Sequence, residues 1–223
     1  GGGVTGTALA RDLALRGVDC ILVEKDDINA GASGRNHGLL HSGARYVAHD
    51  QDAATECRTE GDILKRVAAR SIQDTGGYFV AVQGDDEKYI ADFPGFCQRA
   101  GITARPVDVA TARAREPAIA GNAIAVYEVP DASVDPFRLS LESMAQARGL
   151  GARLMRRTRV VGFEREGREI RAAVVADGQQ AAAGRRQHQQ VQPGAALDDD
   201  AAAQEGLLAG LQPQRLLDAD VGG

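Results

Sequence analysis

Apolar and polar positions along this chain change period several times, and each change marks an element. Val4 to Arg16 is rich in Ala and Leu and reads as a helix, with Gly17 placed to end it. Cys20 to Val23 (CILV) is a short continuous apolar run, the pattern of a strand buried on both faces of a parallel sheet. Residues 25–50 lack strong periodicity and read as a long loop, a length usually reserved for function or disorder. Helical spacing returns from Asp52 to about Arg70, with Ala53, Ile63, Leu64 and Val67 on one stripe. GGYFVAVQ (76–83) and AIAVYEVP (123–130) are strand candidates. Residues 85–101 open on an Asp cap and read as a helix that Pro94 should kink or end, and Asp108 caps a second short helix. Asp135-Pro136 is a helix start running to about Arg148, followed by short strands at 151–155 and across 158–177 with a turn at Gly167.

Beyond Asp177 the character changes. The last stretch has no aromatic residue, Ile, Lys, Ser or Thr, and is built mostly from Ala, Gln, Gly, Leu, Asp and Arg. Such a composition suits either a low-complexity disordered tail or translation out of frame from a GC-rich gene, and the second is preferred. A helix around 204–211 has weak support.

The 223 residues suffice for one large domain or two small ones. A net charge of −5 argues against a general attraction to nucleic acid, so no nucleic-acid partner is expected. No apolar run approaches the roughly 20 residues that span a bilayer. Cys20, Cys57 and Cys97 are far apart and form no C-x-x-C pair, which fits isolated thiols in a reducing cytoplasm. The chain starts inside a motif without a methionine, so a fragment is expected.

That motif is Gly1, Gly3 and Gly6, a G-x-G-x-x-G directly before the first helix. One glycine allows the tight turn, one lets backbone approach a pyrophosphate, and one lets helix and strand pack closely. The helix start then offers N–H groups and a positive dipole end to phosphate. Glu24 stands at the end of the apolar run, about where an acceptor for a ribose hydroxyl belongs, and its charge disfavours a 2′-phosphate. The motif cannot by itself separate NAD from FAD.

GASGRNHGLLHSGARY (31–46) poses a sharper question. His37 and His41 have the i, i+4 spacing of two metal ligands on a helix, but glycines at 31, 34, 38 and 43 break any helix there. No third ligand stands at a familiar spacing, and no metal is expected.

GGGVTG, ILVEKDD and RNHGLLHSGARY, with TGGYFVAV (75–82) and VDPFRL (134–139), resemble FAD-dependent glycerol-3-phosphate dehydrogenases, above all the large subunit of the anaerobic bacterial type. That family lies among flavoenzymes related to D-amino-acid and glycine oxidases. The resemblance covers residues 1–176 and implies an α/β fold: an FAD-binding Rossmann-type domain with an inserted antiparallel substrate-binding portion, incomplete here. It divides the chain into FAD-binding residues 1–75 lacking a first strand, a partial substrate portion at 76–130, a return to the FAD-binding domain at 131–176, and an aberrant tail at 177–223. Gly1, Gly3 and Gly6 would hold the FAD pyrophosphate and Glu24 the ribose, with Ser33, Gly34, Arg35 and Asn36 beside the pyrophosphate and ribityl chain. Leu39 to Gly43, including His41, would run along the flavin ring, Val161 or Val160 would lie near the adenine, and Arg45 and Tyr46 would line the substrate pocket. Arg138 reads as a residue of its own helix.

The activity implied is oxidation of sn-glycerol 3-phosphate to dihydroxyacetone phosphate with FAD as cofactor, electrons passing to quinone through partner subunits. The implied location is cytoplasmic, with a peripheral place on the inner membrane left open. An FAD-dependent dehydrogenase of 2-hydroxy acids such as 2-hydroxyglutarate is the alternative, its H-S-G loop being similar. A strand and an Ala-Ala-Gly-like turn are expected after Ala176, with the rest of the substrate domain beyond, and no general base can be named. An inactive fragment that binds nucleotide weakly at most is therefore the third reading.

Overall fold

The computed structural model describes residues 1–177 and 188–191. In chain order its elements are α1 (Val4–Leu15), β1 (Ile21–Val23), β2 (Leu39–Leu40), α2 (Gln51–Val67), β3 (Ile72–Gln73), β4 (Gly77–Val82), α3 (Glu87–Arg99), β5 (Arg105–Val107), α4 (Val109–Arg115), β6 (Ala123–Val129), β7 (Ala132–Val134), α5 (Pro136–Gly149), β8 (Arg153–Met155), β9 (Thr158–Glu166), β10 (Glu169–Asp177) and β11 (His188–Val191). The expectations for the tail, including its helix around 204–211, lie outside the described residues. The described residues form two compact units: 1–36 with those from 136 onward, and 37–135.

In the first unit β1 and β8 pair in parallel, Leu22 opposite Leu154. Helices α1 and α5 pack together through a core of Ala10, Ala14, Leu22, Met144, Ala147 and Ala152. The alanines bring the two helices close, and Leu22 supplies the buried face of the short apolar strand. β9 and β10 form an antiparallel hairpin turning at Gly167, and β11 pairs on the outer side of β10.

In the second unit β4, β6 and β5 form an antiparallel sheet, and β7 pairs with both β2 and β3 in a smaller one. The core is Ala44, Val47, Ala54, Phe93, Cys97, Ala100, Ile102 and Val129. Its helices start where carboxylates accept from the first turn: Asp50 from the Ala53 N–H, Asp86 from Lys88 and Tyr89, Asp108 from Thr111. Residues 37–75, placed by the sequence reading with the first FAD-binding segment, and 131–135, placed with its return, both fold with residues 76–130: Ala54 of α2 shares a core with Phe93 and Val129, and β7 pairs with β2 and β3.

Pro94 neither kinks nor ends α3 enough to divide it; the helix continues from Glu87 to Arg99. Proline has no N–H to give the carbonyl four residues back. That carbonyl, of Ile90, accepts instead from the Tyr127 hydroxyl at 3.0 Å. Phe93 and Cys97, buried on either side of the proline, hold the helix to the core.

Candidate functional site

In the first unit the glycine cluster and the end of β1 come together. Glu24 is held by two backbone donors: the Gly2 N–H reaches Oε2 at 2.5 Å and the Asp26 N–H reaches Oε1 at 2.7 Å. Each carboxylate oxygen has a second lone pair, so both remain able to accept from ribose hydroxyls. Gly6 lies against the chain's own start: a Cβ there would fall on the Gly1 carbonyl oxygen. At Gly3 a Cβ would press on Ser33 Oγ, at 2.9 Å. Gly3 is the N-cap of α1 and brings no side chain to it. The Val4 N–H donates to Ser33 Oγ at 3.0 Å, while the next N–H groups, of Thr5 and Gly6, lie in a first turn that has no acceptor within its own helix.

Residues 25–36 fold back on this cluster. Asn29, nearly fully buried and left-handed at φ 60°, donates its N–H to the Gly2 carbonyl at 3.0 Å. Its side chain donates to the Pro136 carbonyl and accepts from the Ser140 hydroxyl at 2.9 Å. One guanidinium nitrogen of Arg156, Nη1, donates to both carboxylate oxygens of Asp27, at 3.0 and 3.1 Å. Partial burial pushes its carboxyl up, but the Arg156 and Ile28 hydrogen bonds and the charges of Arg156 and Arg157 outweigh that and hold it below its usual value. Gly34 sits in the 3-10 turn Ala32–Gly34, where a Cβ would meet the Asn29 carbonyl and the Phe137 ring. Asn36 donates to the Ser33 carbonyl at 2.7 Å, and Arg35 is exposed. β9 is tied to the end of β1, the Thr158 N–H donating to the Glu24 carbonyl at 2.8 Å. Val161, three residues on, is exposed and is the extra residue of a bulge, without a register partner on β10.

In the second unit the sequence-predicted residues gather on one turn. Gly43 is left-handed at φ 95°, and a Cβ there would strike the Ala54 backbone. It opens the 3-10 turn Ala44–Tyr46, closed by the Tyr46 N–H donating to the Gly43 carbonyl at 2.9 Å. Ala44 is fully buried, which fixes the turn to the core and leaves Arg45 exposed. The Arg45 guanidinium lies 5.4 Å from the Tyr46 ring centre, and the His41 ring meets the same tyrosine edge-on at 5.5 Å. Among the described residues no ion pair is assigned to Arg45, so the cation is held near an aromatic face and not near a carboxylate. Ser42 donates its N–H to Asp131 Oδ1 at 2.7 Å, pinning the loop before the turn to the start of β7. Arg138 pairs with Glu142 on its own helix at 2.9 Å. Among the described residues no three His, Cys, Asp or Glu side chains gather as a metal site, and the three thiols form no disulfide.

Sequence reasoning missed Gly2, Asn29 and Asp131. The signal for Asn29 is its residue type, since Asn tolerates the left-handed region. Asp131 gives no local signal, because its partner is 89 positions away.

Residues 1–197 match the family model for FAD dependent oxidoreductase, and the chain belongs to that family, whose cofactor is FAD. The match extends past Asp177, where the composition changes. The structural features of the first unit fit that cofactor: a glycine cradle that a Cβ would fill, a helix start whose Gly3 cap brings no side chain, and a fixed carboxylate.

Among curated proteins the chain is 47% identical over 170 residues to one subunit of the anaerobic glycerol-3-phosphate dehydrogenase of Escherichia coli (strain K12), a match that covers 76% of this chain and 31% of that protein. The chain thus spans about a third of the length of that relative. Among solved structures, glycine oxidase from Bacillus cereus superposes with a TM-score of 0.69 at 24% identity, over 80% of this chain and 50% of that one. A glycerol-3-phosphate dehydrogenase from Bacillus halodurans, solved with FAD, gives a TM-score of 0.59 at 19% identity, over 86% of this chain and 31% of that one. At those identities the superpositions show the fold.

Proposed function

We propose that the protein carrying this chain oxidises sn-glycerol 3-phosphate to dihydroxyacetone phosphate. The observation that carries the reading is the 47% identity over 170 residues to a protein of that name. The cofactor, when bound, supplies the hydride acceptor; the protein supplies binding, orientation and electrostatics. In this reading the Gly1, Gly3 and Gly6 cradle and the α1 start hold the pyrophosphate, and Glu24 accepts from the ribose. Ser33, Gly34, Arg35 and Asn36 form the loop beside the pyrophosphate, with Val161 assigned to the adenine. His41 and Gly43 belong to the flavin-side loop, and Arg45 and Tyr46 grip the substrate phosphate. Arg45 suits that role because it is exposed, permanently charged, and held near an aromatic face, with no ion-pair partner among the described residues. The relative is named as one subunit of its enzyme. Further subunits are therefore expected to take the electrons onward to quinone, with the protein in the cytoplasm or peripheral on the inner membrane.

The test is anaerobic flavin bleaching in the full-length protein. Glycerol 3-phosphate should bleach the flavin, and 2-hydroxyglutarate should leave it oxidised. The reverse pattern would overturn the phosphate reading.

A further inference from the structure

One residue fastens the loop after β1 to two other parts of the first unit. Asn29 is 2% exposed and stands at φ 60°, one of two non-glycine residues in the left-handed region among those described. L-residues rarely hold that conformation, and Asn is among the few that tolerate it. With the chain turned this way, the Asn29 N–H donates to the Gly2 carbonyl at 3.0 Å. Its side-chain amide reaches α5: Nδ2 donates to the Pro136 carbonyl at 2.6 Å, and Oδ1 accepts from the Ser140 hydroxyl at 2.9 Å. Pro136 and Ser140 stand one turn apart on α5, and Ser140 is fully buried. Asn29 thus ties one turn of a helix to the glycine cluster.

Gly2 is held on both sides, its N–H by Glu24 and its carbonyl by Asn29. That carbonyl belongs to the peptide joining Gly2 to Gly3. The peptide unit is planar and trans, so fixing its carbonyl also fixes the direction of the N–H at its other edge, which is that of Gly3. Gly3 is the N-cap of α1 and part of the cradle assigned to the pyrophosphate. Glycine explores more backbone space than any other residue, so a cluster of glycines needs a brace from outside itself. The Asn29 side chain is closed off from solvent and acts only through what it holds.

We propose that Asn29 is a positioning residue for FAD: its side chain grips α5, its backbone grips Gly2, and the Gly3 N–H is thereby kept directed at the pyrophosphate. The inference rests on the reading that Gly1, Gly3 and Gly6 hold that pyrophosphate.

The experiment uses the full-length protein, stripped of flavin, as wild type, Asn29→Gly, Ser140→Ala and Gly6→Ala. Asn29→Gly keeps the backbone N–H and adopts a φ of 60° without strain, so it removes the two amide hydrogen bonds alone. FAD is titrated in by the quenching of its fluorescence, and phosphorus NMR of the saturated protein reads the two phosphates directly. Asn29→Gly should raise the Kd for FAD by about tenfold and shift the phosphorus resonances of bound FAD. Ser140→Ala removes one of the two bonds and leaves Asn29 in place. It should move both readouts in the same direction by less, and it decides the matter if Asn29→Gly does not fold. A Kd unchanged from wild type overturns the proposal. So does a raised Kd with unmoved phosphorus resonances, which marks a loss of stability alone. Gly6→Ala separates the two readings. If it binds FAD as wild type does, the cradle reading falls and this inference with it. If it loses FAD while Asn29→Gly matches wild type, this inference falls alone.

Discussion

Arg45 and Tyr46 owe their placement to the residues around them. Ala44 between Gly43 and Arg45 is fully buried, so the turn cannot rotate without opening the core. Arg45→Lys in the full-length protein should raise KM for glycerol 3-phosphate by roughly tenfold or more, since a point charge replaces a bidentate fork. Flavin content should be unchanged; steady-state kinetics beside the flavin absorbance ratio checks both. Cys97 illustrates a different kind of residue. Burial pushes its thiol up to about 11, so the folded protein resists forming the thiolate. An unfolded thiol ionises near 9, so the sign is clear: stability holds below about pH 9 and falls as pH rises toward 11. Denaturation midpoints measured from pH 8 to 11 should fall, and Cys97→Ala should flatten that fall.

At the scale of elements, two devices place the candidate residues: short strands with buried ends, and helices whose starts are capped by an Asp of their own or, in α1, met by the distant Ser33 hydroxyl. The helices of the second unit are capped by Asp50, Asp86 and Asp108, whereas α1 begins at a glycine. Gly6→Ala should abolish flavin retention, because its Cβ has no room beside the Gly1 carbonyl; dialysis followed by an absorbance scan checks it. Phe93→Ala should lower stability by about 3–5 kcal/mol, since it empties the centre of a cluster with Phe79, Tyr89 and Tyr127; denaturant unfolding measures the loss. The long elements were legible in the sequence. The spacing read at Val4–Arg16 corresponds to α1, and the Asp-Pro pair at 135–136 marks the start of α5. Of the two- and three-residue strands, β1 and β8 were legible and β2, β3, β5 and β7 were not. Such strands are too short for a period to show, and they exist because a distant partner pairs with them. Pro94 misled for a similar reason: the Tyr127 hydroxyl that accommodates it lies far along the chain.

For the whole molecule, the glycine motif and Glu24 could be read as a nucleotide site because their spacing along the chain is itself the signal. Asp131, which anchors the loop carrying His41, could not, because nothing near it in sequence hints at Ser42. Among the described residues β1 pairs only with β8, and two-stranded elements are marginal by themselves. The 223-residue chain should therefore lose flavin on dialysis, whereas a chain as long as its relatives should stay yellow. Retention of stoichiometric flavin by the short chain would show that the described elements suffice.

One feature of the second unit reaches beyond binding. Its first strand, β2, and its last, β7, are neighbours in one small sheet, and the Val134 N–H donates to the Gly38 carbonyl at 2.8 Å. The unit therefore leaves the chain almost where it enters. Paired strands stand about 5 Å apart, a gap that one or two residues bridge. A body fastened in this way is a cassette: removing it by joining residue 37 to residue 135 would ask little of the backbone on either side. The same geometry would let a different insert take its place, so the part assigned to the substrate could be exchanged while the part assigned to the nucleotide stays as it is.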